Sequence, residues 1–123
     1  MAAIAKSGVP SICTALPPQN EQIPGLRAGE AIAAGDLCTI VTDGTAMRTA
    51  AAGAVVHGVA AFAAQVGQAV TLYRNVRFGY GAGLIPAATV RVSATVPGGL
   101  DDAGTGVIVG FVVDDTRIQF RGL

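Results

Sequence analysis

A catalytic or metal centre in this chain would have to be built from one histidine (His57), two cysteines (Cys13 and Cys38) and the carboxylate pairs Asp101-Asp102 and Asp114-Asp115. Nucleophilic hydrolysis needs a serine beside a histidine base that is itself oriented by an acid. Ser7, Ser11 and Ser93 sit in no nucleophile-elbow context, and His57 falls in the middle of Val55-Val56-His57-Gly58-Val59, which reads as a strand. A lone histidine supplies no multi-histidine metal site, so His57 reads as structural or interfacial. The cysteines form no CxxC or Cys/His spacing and read as free, buried packing residues. Neighbouring aspartates on a strand point to opposite faces, and neither pair has EF-hand spacing. Solvated turn residues are the expected reading for both pairs.

Two further strings imitate known chemistry. Gly79-Tyr80-Gly81-Ala82-Gly83 has a GxGxG spacing, but a dinucleotide fingerprint needs a helix after it, and here Ile85-Pro86 follows. It reads as a flexible connector. Arg74, Arg77 and Arg91 accompany Tyr73, Phe78 and Tyr80, a composition that suits a protein interface. At zero formal net charge, a nucleic-acid role is not expected. The expectations are therefore no catalytic residues, no cofactor and no metal.

The elements that would position these groups are short. In 123 residues, 51% are apolar but only 5% aromatic, with 17 glycines and no tryptophan. Charged residues make up 13%, about half the usual share. A near-neutral surface promotes association, so this composition suits a protein that sits against other protein. Thr49 to Tyr73 carries no charge, yet its alanines, glycines, His57, Gln65 and Gln68 drive membrane insertion far less than leucine or isoleucine would. No membrane partner is expected. The first residues lack the apolar run of a secretory leader, which implies synthesis in the cytoplasm.

Residues 1–25, with Pro10, Pro17, Pro18 and Pro24, read as an extended arm. From 26 to 123 the chain reads as an all-β domain, with strands expected at 37–42, 55–60, 69–73, 89–95, 106–113 and 117–120 and turns at Asp43-Gly44, Pro97-Gly98-Gly99 and Asp101-Asp102. Val90-Arg91-Val92-Ser93 and Arg117-Ile118-Gln119-Phe120 alternate as one-face-wet strands do. Val107 to Val113 is continuous and β-branched, so a central strand buried on both faces is expected. Ala31 to Leu37 matches Leu84 to Val90 at an offset of 53 residues (31 to 84), and Val55 to Ala60 matches Val107 to Val112 at 52 (55 to 107). Two similar halves of about 52 residues, roughly 28–80 and 81–123, would pack as a small β-barrel or β-clip-like domain.

The phrases Leu26 to Leu37, Gly58-Val59-Ala60, Val66 to Leu72 and Ala82 to Ala87 resemble the head-decoration, or cement, proteins of tailed phages and prophages. Their shared pattern is an I-x-A-G-D opening turn, a G-V-A strand, an A-G-x-x-V-T-V strand and a second opening turn. Ala88-Thr89 departs from the Gly-Asp expected in that second turn. The resemblance implies a structural virion protein on the capsid exterior, a homotrimer that clamps adjacent major capsid protein subunits. It further implies that the arm meets the shell through Ile12, Leu16, Pro17, Pro18 and Ile23. Ala28 to Leu37 also looks like the turn of small SAF-type β-clip modules, which bind sugars or partner proteins; the helix usual there is not evident.

Overall fold

The computed structural model describes residues 3–13, 21–49 and 55–121. Among them are twelve strands and no α-helix: β1 (Ala3–Ile4), β2 (Ser11–Ile12), β3 (Gln22–Ala28), β4 (Leu37–Ile40), β5 (Thr45–Arg48), β6 (Gly58–Ala60), β7 (Ala69–Tyr73), β8 (Val76–Gly79), β9 (Thr89–Val92), β10 (Leu100–Asp101), β11 (Ile108–Val112) and β12 (Arg117–Phe120). The protein is all-β. No helix among the described residues is long and apolar enough to cross a membrane.

β3 to β7 form a closed five-stranded barrel in the order β3-β5-β4-β6-β7. Closure comes from β3, which runs antiparallel to β7 and parallel to β5. The remaining strands form one sheet, β1-β10-β9-β11-β12-β8-β2. With β8 to β12 set against β3 to β7 in chain order, four of the barrel's five neighbour relations recur in the second sheet, and the β3–β5 pairing does not. The register agrees as well. Cys38↔Gly58 and Leu37↔Val59 recur as Val90↔Gly110 and Thr89↔Phe111, each position advanced by 52 residues (38 to 90, 58 to 110). The Gly35 N–H to Ala60 carbonyl bond recurs from Ala87 to Val112, and that from Ala60 to Asp36 recurs from Val112 to Ala88. The structural offset at the opening turn is thus one residue less than the sequence match, and Asp36 corresponds to Ala88. Gly35 has φ 83°, and its counterpart Ala87 is the one non-glycine at positive φ among the described residues, 69°.

Two differences from expectation concern boundaries. The two sheets meet between Tyr73 and Val76, not at 80/81, because Gly79 ends β8 and the side chain of Tyr80 is buried. The glycine string is therefore not the connector. The 25/26 boundary falls inside β3, and residues 3–13 do not stand apart from the domain. Buried or edge amides need partners, and these find them on the protein's own sheet, β1 against β10 and β2 against β8.

Two core clusters fill the fold. The first is narrow and small-chained: Ala28, Ile32, Cys38, Ala46, Ala60, Ala64, Val70 and Leu72. The second holds the aromatics, with the Phe78 and Phe120 rings edge-on at 5.7 Å and Tyr80 at 6.4 Å from Phe120. Period-2 alternation joins the two cores. Cys38 and Ala60 point into the first barrel, while their neighbours Leu37 and Val59 point outward into the second core. The Pro97-Gly98-Gly99 turn completes the junction: Gly98 donates to the Thr49 carbonyl at 2.8 Å and accepts from the Leu37 N–H at 2.9 Å.

Candidate interaction surface

Of the residues expected to touch a shell, the two that are described lie on different sheets. Ile12 lies on β2 and packs against the second core, and Ile23 lies on β3 and packs against the first. Leu16, Pro17 and Pro18 fall outside the described residues. Ile12 and Ile23 are thus partly buried parts of the fold.

The other candidates have local structural partners. His57 precedes β6 instead of lying within a strand, and its Nδ1 accepts the Ile40 N–H at 2.9 Å. Asp114 is a turn residue: it accepts from the Thr116 and Arg117 amides and pairs with the Arg117 guanidinium at 2.6 Å. Those donors hold its carboxyl down at about 2. Asp101 departs from expectation. It is buried in β10 and accepts the Ala94 N–H, because its strand is enclosed between β1 and β9. Cys38 is buried and Cys13 exposed. Desolvation, then the nearby charges of Asp36 and Glu30, push the Cys38 thiol up to about 12. The arginines are dispersed. Arg77 donates to Gln119 and Arg91 to the Gly106 carbonyl, with β11 and β12 between their strands. Phe78 and Tyr80 are core residues. No group of three or more His, Cys, Asp or Glu among the described residues is placed to hold a metal ion.

What the sequence did not reveal is the outer face of β11. The strand is central, between β9 and β12, but it is not buried on both sides. A bulge between Ile108 and Gly110 breaks the alternation, so Ile108 and Phe111 both face outward, 53% and 37% exposed. The Arg121 guanidinium lies 5.8 Å from the centre of the Phe111 ring, a cation–π distance. Phe62 and Val66, in the loop between β6 and β7, are also exposed. A cavity of about 350 Å³ opens where residues 3–6 cross the junction, walled by Ile4, Tyr80, Val96 and Leu100 with Lys6 and Asp36 beside them. Lys6 Nζ and Asp36 Oδ1 are 2.6 Å apart, and Asp36 Oδ2 accepts the Ala33 N–H.

Fold and surface define a small all-β protein of one closed five-stranded barrel and a second, seven-stranded sheet, with outward apolar side chains on a central strand of that sheet. The chain matches no family model, no curated protein and no solved structure.

Proposed function

We propose that this chain is a non-enzymatic structural protein that decorates the outer surface of a tailed-phage capsid, clamping adjacent major capsid protein subunits as a homotrimer on the virion exterior. The resemblance of the Leu26 to Leu37 region to cement proteins motivates the reading. The observation that carries it is the outward pair Ile108 and Phe111 on a central strand. Large apolar groups held outward on a central strand favour burial against another protein, at roughly 25 cal/mol per Å² covered. Many copies on a lattice add avidity, so a modest contact at each copy suffices.

The sugar-binding alternative finds less support. Sugar sites converge several unpaired polar groups, whereas the charged pair beside the 350 Å³ cavity is already engaged with itself. The deciding experiment mixes purified protein with expanded shells that lack it. Saturable binding is expected, and its absence would sink the proposal.

A further inference from the structure

We propose that the slot between β8 and β10 is a strand-acceptor site, and that its alternative occupant is residues 3–13 of a second copy of this chain. In the first barrel the corresponding edges, β3 and β5, bond directly to each other. In the second sheet, β8 and β10 carry the same places in the sheet order but are the edges onto which the N-terminal segment is added. Ala3 and Ile4 pair with Asp101 and Leu100, while Ser11 and Ile12 pair with Gly79 and Phe78. Between these ends the Ser7 N–H donates to the Tyr80 carbonyl, and beyond them the Cys13 N–H donates to the Arg77 carbonyl. One segment thus covers both β8 and β10 of the second sheet.

The slot also selects its occupant by side chain. Ile4 and Ile12 pack on the aromatic core, Pro10 is buried and Lys6 meets Asp36. Peptide recognition by strand addition has this form, with main-chain bonds for affinity and pockets for alternate side chains. A copy of residues 3–13 from another molecule would reproduce every one of these contacts. Closed monomer and exchanged assembly then differ mainly in effective concentration, which is on the order of mM for a short tether. The seven residues from 14 to 20 reach at most about 25 Å when extended. Exchange therefore links only adjacent copies. The inference concerns self-association alone and stands apart from what surface the protein covers.

The test uses full chains and no capsids. The donor is the native chain, carrying Cys13; the acceptor carries Cys13→Ser and Arg77→Cys, with a tag to change its mass. Register places position 77 opposite residue 13, within disulfide reach across an antiparallel pair. Donor and acceptor are unfolded together, refolded at about 1 mM, diluted and oxidised; a control mixes chains that were refolded separately. Mixed covalent dimer is expected at least tenfold above the control. Equal yields in the two mixtures, or no mixed dimer from a folded acceptor, would overturn the proposal. Should Arg77→Cys prevent folding, Ser11→Cys on the donor and Gly79→Cys on the acceptor, both in the Cys13→Ser background, apply the same criterion at the paired positions one strand-repeat away.

Discussion

Lys6 and Asp36, thirty positions apart, meet at 2.6 Å with side chains only 26% and 8% exposed. The contact ties the N-terminal segment to the opening turn of the first barrel, which the second copy replaces with Ala88. Removing one partner of a largely buried pair leaves a desolvated charge. Lys6→Met is expected to lower stability by about 2 kcal/mol, and Lys6→Met with Asp36→Leu by less than the two single changes together. Urea denaturation of the four proteins in the cycle measures the coupling.

Ala87 holds the left-handed conformation that Gly35 holds in the first copy. Such a backbone costs an alanine roughly 1–2 kcal/mol, against a smaller entropic cost of introducing glycine. Ala87→Gly should therefore stabilise by about 0.5–1 kcal/mol and raise Tm by a few degrees. A calorimetric scan showing a lower Tm would reject this account of the turn.

Gly110 behaves in the opposite sense. A Cβ there would run into the Gln119 carbonyl oxygen, so β11 and β12 would have to separate. Gly110→Ala is expected to destabilise by about 3 kcal/mol or more, at the upper end of overpacking costs. Gly79→Ala, whose nearest contact would be an ordinary 3.8 Å, should cost less than about 1 kcal/mol. Chemical denaturation of both variants provides the comparison.

Asp114 should titrate near 2, since the Arg117 guanidinium and the turn amides stabilise its carboxylate. Because the folded pKa lies below the unfolded one, the group's contribution to stability is present above about 4. That contribution is lost as pH falls toward 2. In Arg117→Ala the side-chain carbon resonance of Asp114 should shift its midpoint upward, toward the ordinary aspartate range. An unchanged midpoint would show that Arg117 is not the dominant cause.

Thiol chemistry separates the two cysteines. Cys38 is buried, with its thiol raised to about 12, while Cys13 is exposed. A thiol reagent at pH 8 is expected to modify one cysteine per native chain and two per unfolded chain, since only the thiolate reacts. Mass spectrometry of the alkylated peptides checks which one.

Legibility in the sequence followed the range of the interactions involved. β7 and β12 matched their expected limits because 69–73 and 117–120 alternate and are bounded by turn residues. β3 was hidden by Pro24 and Gly25, which the structure accommodates at an irregular register between Ile23 and Leu26. β8, though Val76-Arg77-Phe78-Gly79 alternates, was masked by the glycine string after it. The outward pair on β11 depends on a bulge that shifts parity, and no count of apolar residues reveals one. The strand partners of residues 3–13 lie more than sixty positions away, so the pattern of these residues alone reads as a free arm.

The way the second sheet is completed also bears on the order in which its strands become available during synthesis. β3 to β7 are contiguous and close on themselves, so they can assemble as soon as Tyr73 has been made. Residues 3–13 come first but must wait for β8 and for β10, nearly a hundred residues later. Of the described strand pairings, that of β1 with β10 closes the longest loop. Until then the growing protein carries two unpaired sheet edges and an unpaired strand, the state in which neighbouring nascent chains are most exposed to one another.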